Sequence, residues 1–149
     1  VGATVLSRVM TRLKEGGHLG DEQPGVLVGL DAPDDCAILA PSALASVHTV
    51  DFFRSLIDDP FVFGQVAANH ALSDCHAMNA APVGALAVAV VPYGLDAKVE
   101  ENLFQMLAGA SRAERAAFGL PADAPQPSDY HYTRTSVNFS LARYRNWGP

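Results

Sequence analysis

Apolar residues recur with helical spacing at the start of the chain. Within residues 3–15 they stand at positions i, i+1, i+4, i+5 and i+8, and they are Val5, Leu6, Val9, Met10 and Leu13. This spacing predicts an amphipathic helix with one apolar face. Gly16 and Gly17 follow directly, and glycine readily adopts the left-handed conformation that ends a helix.

Three short apolar runs follow a loop that is rich in Gly, Asp and Pro. They cover residues 25–30, 36–40 and 46–52 and contain many β-branched side chains. Pro41 and Ser42 separate the second run from the third and indicate a turn. We therefore predict three short strands.

The pattern changes at Asp58-Asp59-Pro60. Asp is favoured as a helix N-cap and Pro at the first helical position, and the residues that follow are rich in Ala. These features predict a buried, closely packed helix from about residue 60 to 78.

A nearly continuous apolar run covers residues 83–91 and ends at Pro92. Such a run is typical of a strand that is covered on both faces. Asp96 is then predicted to cap a last helix that continues to about Ala108.

The predicted order is one helix, three strands, a helix, a strand and a helix. This order indicates an α/β fold, built as an α+β sandwich with helices on one face of a mixed sheet. From Gly119 onward the periodic pattern decays. We therefore predict one domain over residues 1–118 and a poorly ordered tail over residues 119–149.

The composition is that of a single soluble domain. The chain has 149 residues, 49% of them hydrophobic, and a net charge of −6, which argues against a nucleic-acid partner. No apolar run approaches the ~20 residues of a membrane helix, so no membrane partner is expected. Cys36 and Cys75 have neither a zinc-knuckle spacing nor that of a disulfide framework. We expect two small buried side chains and a reducing, cytoplasmic location.

Carboxylates are concentrated in the middle of the chain. Seven of them lie within residues 31–74 together with one basic residue, Arg54; they are Asp31, Asp34, Asp35, Asp51, Asp58, Asp59 and Asp74. Such a cluster repels itself unless a cation joins it, and hard oxygen ligands suit Mg²⁺ or Mn²⁺. The alternative is that Asp58 caps a helix and that Asp31, Asp34 and Asp59 are solvated turn residues.

Asp51 and Asp74 differ from the others because their sequence surroundings are apolar. Burial of an unpaired charge is unfavourable, so each is expected to be neutral or metal-bound. A zinc site is disfavoured, since His70 and Asp74 share a helix face at i, i+4 whereas His76 points elsewhere. The sequence contains no P-loop lysine, no G-x-S-x-G and no G-x-G-x-x-G motif.

Several short segments carry a combination of Asp, Asn and Phe residues: Pro33–Ile38, Val47–Phe53, Ile57–Phe61, Phe63–Gly64, Ala67–Asp74 and Ala77–Met78. In order and spacing they resemble the amino-terminal domain of selenophosphate synthetase (selenide, water dikinase), over about residues 1–110. D-D-A, T-x-D and N-x-x-S-D are shared by the wider aminoimidazole-ribonucleotide-synthetase-like ATP-binding superfamily. T-V-D-F-F with D-D-P-F-x-F-G is more specific to the selenophosphate branch.

The resemblance implies a ferredoxin-like fold that pairs across a homodimer into a β-barrel. It also implies ATP-dependent phosphoryl transfer to selenide, which gives selenophosphate, AMP and phosphate. Carried over by position, Asp35, Asp51 and Asp74 would hold Mg²⁺ or Mn²⁺ ions that bridge the phosphates of the substrate ATP. Thr49 would contact the nucleotide or a phosphate, and Asn69 would support the site.

The sequence also departs from this family. The family's catalytic Cys or selenocysteine and its Lys are expected upstream of Val1, so no catalytic residue is predicted within the chain. Met78-Asn79-Ala80 stands where Met-Gly-Gly is usual, and His48 where Gln is usual. The similarity stops after Ser111, and the family's carboxy-terminal domain is missing, so the chain alone is expected to be inactive.

Two alternatives remain beside the phosphotransferase hypothesis. One is a non-catalytic nucleotide-binding or dimerisation module. The other is a thiamine-monophosphate-kinase-like or hydrogenase-maturation member of the same superfamily, against which T-V-D-F-F argues.

Overall fold

The computed structural model describes residues 1–19, 26–30, 36–41, 45–117 and 136–145. The elements are α1 (Ala3–Glu15), β1 (Val26–Val28), β2 (Ile38–Leu39), β3 (Ala45–Arg54), α2 (Pro60–Ala77), β4 (Ala81–Val90), α3 (Asp96–Ala117) and β5 (Ser136–Arg145). The predicted order is confirmed from α1 to α3, and β5 is an additional strand.

The start of α2 is fixed by Asp59. Its carboxylate accepts a hydrogen bond from the backbone N–H of Val62 at 3.0 Å, and Pro60 is the first helical residue. Only the residue directly before this proline can be the N-cap, so the expectation that Asp58 caps the helix is wrong. Asp96 is likewise the first residue of α3 and not its cap, because the carbonyl of Leu95 accepts the first helical hydrogen bond, from Val99 at 3.0 Å.

The end of α2 uses a left-handed residue. Asn79 has a φ of 51° and donates its backbone N–H to the carbonyl of His76 at 2.8 Å. Ala80 donates to the carbonyl of Cys75 at 2.7 Å, which completes a Schellman motif. Asn is among the few residues that tolerate this conformation, so it can stand where the resemblance predicts glycine. Gly17, with a φ of 68°, ends α1 as predicted.

Helices α2 and α3 pack closely at two glycines. A Cβ atom at Gly64 would overlap the carbonyl oxygen of Met106, and one at Gly109 would overlap that of Phe61. Gly109 therefore serves helix packing, and α3 continues well beyond the predicted end at Ala108. The buried helix predicted from residue 60 is confirmed, since α2 has buried side chains along its whole length.

Strands β3, β5 and β4 form an antiparallel sheet in that order, and β1 and β2 form a separate antiparallel pair. Because β3 and β4 both run antiparallel to β5, they are parallel to each other and are connected through α2, as in a split β-α-β unit. Every strand pair in the described part of the chain is antiparallel, so the expected mixed hydrogen-bond pattern is not found there.

Within the tail predicted to be poorly ordered over residues 119–149, the structure describes residues 136–145, and the rest of that tail lies outside the described residues. Residues 136–145 form the central strand of the sheet. The reason is visible in the sequence, where Val137, Phe139 and Leu141 alternate with Asn138 and Ser140 and give the period of two that a strand requires.

The helices cover one face of this sheet. Side chains from β3 and β4 that point toward α2 pack against the core, among them Val47, Phe53, Ala85 and Ala89. The opposite face, which we call the outer face, exposes Val50, Phe52, Leu86, Val88 and Val90. The prediction that β4 is covered on both faces is therefore wrong for the single chain.

Helix α1 packs on α3 through charged and aromatic side chains. Arg8 and Arg12 form ion pairs with Glu100 and Glu101, and the Arg12 guanidinium lies 4.0 Å from the ring centre of Phe104. The hydroxyl of Ser111 donates to the carbonyl of His18, which follows α1. These contacts fix the first helix and the residues after it on α3.

The two cysteine side chains differ from each other in burial. Cys75 is buried as expected, whereas Cys36 is exposed, so the prediction for Cys36 is wrong.

On α3, Oε1 of Glu114 is buried and has no hydrogen-bond partner among the described residues. Burial raises the pKa of Glu114 to about 7.

Candidate functional site

Strand β3 presents Thr49 and Asp51 to helix α2. Side chains alternate between the two faces of a strand, so these two residues lie on the same face as Val47 and Phe53, which pack against the core. The apolar residues at both ends of this row hold the strand on the helix. The two polar residues between them consequently lie at the junction of β3 and α2.

Helix α2 contributes His70 and Asp74 to the same junction. The two residues are four positions apart and therefore lie on one face of the helix. The hydroxyl of Thr49 donates to Oδ2 of Asp74 at 2.5 Å, and Nδ1 of His70 lies 3.0 Å from Oδ2 of Asp51. Two cross-links between side chains thus join the strand to the helix, and we call these four residues the β3–α2 site.

The β3–α2 site is open to solvent. The side chain of Asp51 is 23% exposed and that of His70 is 57% exposed, and Asp74 is also exposed. Asp74 is therefore not enclosed in an apolar interior, and Asp51 is only partly buried: its neighbours Val50 and Phe52 point to the outer face, whereas Phe53 shares its face. A ligand in solution can reach both carboxylates.

The structure brings together three of the five site residues expected from sequence. Thr49, Asp51 and Asp74 meet in the β3–α2 site, whereas Asp35 lies outside the described residues, as do Asp31 and Asp34. Asn69 is exposed, and the hydrogen bonds from α2 to β3 are made by its neighbour His70 and by Asp74.

His70 is the residue that the sequence interpretation missed. It stands four residues before Asp74, which is the spacing of Asn in N-x-x-S-D, whereas Asn69 stands five residues before Asp74. That spacing was the available signal. Of the other histidines, His48 points to the opposite side of β3 and lies 3.0 Å from the hydroxyl of Ser46. His76, two positions after Asp74 on α2, is exposed and makes no contact with the site among the described residues.

The donor atoms of the site fit a hard divalent cation. Asp51 and Asp74 supply carboxylate oxygens, and their present partners are an imidazole and a hydroxyl, which carry no permanent positive charge. In the part of the chain that the structure describes, no three His, Cys, Asp or Glu side chains converge as a complete metal site. Mg²⁺ is commonly held by only one or two carboxylates, with water and substrate phosphates completing its shell.

Comparison with known proteins places this site in a family. Residues 33–121 match the family model "AIR synthase related protein, N-terminal domain". The chain belongs to the AIR synthase related family. The match includes β3 and α2, so the β3–α2 site lies within the AIR synthase related domain.

Curated relatives of this domain are named selenide, water dikinase. The protein from Myxococcus xanthus is 46% identical over 108 residues, which cover 71% of this chain and 29% of the relative. That of Caldanaerobacter subterraneus is 41% identical over 93 residues, 62% of this chain and 26% of the relative. That of Aeromonas hydrophila is 30% identical over 132 residues, 85% of this chain and 38% of the relative. The resemblance to selenophosphate synthetase is thus confirmed, for a chain that spans less than two fifths of each relative. The expectation that the similarity stops after Ser111 is wrong, because the family match continues to residue 121.

Among the described helices, none combines the length and the apolar character needed to cross a membrane.

Proposed function

We propose that the AIR synthase related domain of this chain binds ATP together with a divalent cation, Mg²⁺ or Mn²⁺. It would supply the nucleotide-binding part of a phosphotransferase of the selenide, water dikinase kind. The observation that carries the proposal is the position of Thr49, Asp51 and Asp74 at one solvent-open junction of strand and helix, where Thr49 bonds Asp74 and Asp51 bonds His70 of the same helix. The relatives named selenide, water dikinase support the reaction type.

The residues of the site have separate tasks in this proposal. Asp51 and Asp74 hold the cation from two different elements, so its position depends on the packing of α2 against β3. Thr49 orients Asp74 through its hydroxyl and offers that hydroxyl to a phosphate oxygen. A bound divalent cation would neutralise phosphate charge and so favour phosphoryl transfer without a covalent protein step.

Substitution of the carboxylates tests this proposal. Asp51→Ala and Asp74→Ala should each weaken Mg²⁺-dependent ATP binding at least tenfold, about 1.4 kcal/mol, because half of the protein's ligands to the cation are lost. Asp58→Ala is the matched control, since Asp58 is exposed before α2 and outside the site. Equal ATP affinities for all three variants and the wild type, measured by calorimetry, would contradict the proposal.

We also propose that a second copy of the chain covers the outer face of the sheet. The support is the row of exposed apolar side chains on β3 and β4, which are 51–63% exposed: Val50, Phe52, Leu86, Val88 and Val90. Contiguous apolar surface of this kind is typical of interaction sites. Pairing of two such faces would give the barrel-forming homodimer that the family resemblance implies. Such a homodimer is also compatible with the alternative that the chain is a dimerisation module without catalytic activity.

A further inference from the structure

His70 is held at the β3–α2 site by contacts on two sides. Its Nδ1 atom lies 3.0 Å from Oδ2 of Asp51, which is the distance of a hydrogen bond. Its ring lies against Phe53 with 5.1 Å between the ring centres. Phe53 in turn packs edge-on against the buried Phe63 at 5.8 Å. The imidazole is therefore supported by the core on one side and meets a carboxylate on the other.

The direction of this hydrogen bond follows from the chemistry of the two groups. An ionised carboxylate only accepts hydrogen bonds, so Nδ1 of His70 carries a proton and donates it to Oδ2 of Asp51. The bond engages one of the two carboxylate oxygens and opposes rotation of the carboxylate at the end of its side chain. The other oxygen, Oδ1, is thereby given a fixed direction at a site that solvent can reach.

Each carboxylate of the site is held by a side chain from the opposite element. Thr49 of β3 donates to Asp74 of α2 at 2.5 Å, and His70 of α2 donates to Asp51 of β3. Hydrogen-bond partners of this kind orient the ligands of a metal ion without binding the ion themselves. We propose that His70 is a positioning residue, which fixes the Asp51 carboxylate so that its other oxygen binds the cation of the nucleotide. This inference rests on the proposed function, because it concerns the same cation.

Calorimetric titration of the full chain with ATP in Mg²⁺ tests the role of the donated proton. His70→Leu removes the donor and keeps an apolar side chain against Phe53, and it should weaken ATP binding about tenfold. His70→Asn retains an N–H donor in the place of Nδ1 and should recover most of this loss. His76→Leu makes the same replacement at an exposed position of α2 outside the site and should leave the affinity unchanged.

A double substitution separates positioning from a purely structural role. If His70 acts through Asp51, His70→Leu has no carboxylate left to position once Asp51→Ala is present. The double variant should then bind ATP as Asp51→Ala alone does. A structural role would instead weaken binding by the same factor with and without Asp51. Additive losses, a His70→Leu variant that binds ATP like the wild type, or a His70→Asn variant as weak as His70→Leu would overturn the inference.

The position of the imidazole proton can be read in the unsubstituted protein, whatever the stability of the variants. Free histidine favours the form with its proton on Nε2, whereas the hydrogen bond to Asp51 requires a proton on Nδ1. Nitrogen-15 magnetic resonance of the full chain at pH 8 should therefore show His70 protonated at Nδ1. A His70 ring whose Nδ1 carries no proton would contradict the assigned hydrogen bond and the positioning role with it.

The same titrations separate this inference from the proposed function. If Asp51→Ala loses Mg²⁺-dependent ATP binding and His70→Leu does not, the positioning role of His70 fails and the proposed function stands. If Asp51→Ala binds ATP like the wild type, the proposed function fails as well.

Discussion

The crossing of α2 and α3 at Gly64 predicts a large loss of stability from a very small substitution. In Gly64→Ala the new Cβ atom would overlap the carbonyl oxygen of Met106 and would lie 3.0 Å from the backbone nitrogen of Ala110. Both neighbours are backbone atoms, so no side-chain rotation can relieve the contact. The two helices must move apart, and the buried residues around the crossing lose contact.

The expected cost follows from this geometry. A carbon atom and a carbonyl oxygen approach comfortably at ~3.3 Å, so the helices have to separate by roughly 1 Å. Overpacking of a close-packed core costs ~1–3 kcal/mol, and the backbone contact places Gly64→Ala near ~3 kcal/mol. For a chain of this size that corresponds to a fall of about 6–12 °C in the melting temperature.

Thermal and urea unfolding followed by circular dichroism measure this change. Gly94→Ala is the control, because a Cβ atom at Gly94 meets nothing within 4 Å and should change stability by less than ~0.5 kcal/mol. If Gly64→Ala unfolds at the same temperature and urea concentration as Gly94→Ala, the close approach of α2 and α3 is refuted.

Three further predictions concern other parts of the chain. Asn79→Ala should destabilise by about 1 kcal/mol in urea unfolding, because alanine resists the left-handed conformation, and Asn79→Gly should not; equal stability of the two variants would contradict the assigned φ of 51°. Burial raises the folded-state pKa of Glu114 from 4.5 to about 7, so stability should fall as pH rises through this interval and stay level above it. Glu114→Gln should remove that fall in urea unfolding at several pH values, and an unchanged pH profile would contradict the assigned burial. Val88→Lys should convert a wild-type dimer into a monomer in light scattering, whereas Glu15→Lys, at an exposed position of α1 away from the outer face, should leave the dimer intact; a monomeric wild type would contradict the proposed interface.

The helices could be predicted because their signals are local. The apolar stripe of α1, the proline at the start of α2 and the glycine after α1 act within a few residues of the chain. The far end of α3 could not be predicted in this way, since the role of Gly109 depends on Phe61, which belongs to another helix. Strand β5 does show an alternating pattern, but the prolines and charged residues around it favour the prediction of an irregular segment.

The residues that strand β3 contributes to the candidate site could be predicted from the sequence. Those that helix α2 contributes could be predicted only in part. Thr49 and Asp51 stand two residues apart in a strand, which places them on one face whatever the tertiary structure. Which residue of α2 meets Asp51 depends on the rotation of the helix over the sheet. That rotation is set by Phe61, Phe63 and Leu72 in the core. It brings His70 to Asp51, where the sequence predicts Asn69 as the supporting residue.

ATP binding by the full chain, measured by calorimetry with Mg²⁺ and again with EDTA, tests the central claim most directly. The account assigns the phosphates of the nucleotide to a cation held by Asp51 and Asp74, so the affinity for ATP should fall at least tenfold when the cation is removed. An ATP affinity that is the same in Mg²⁺ and in EDTA would contradict the account.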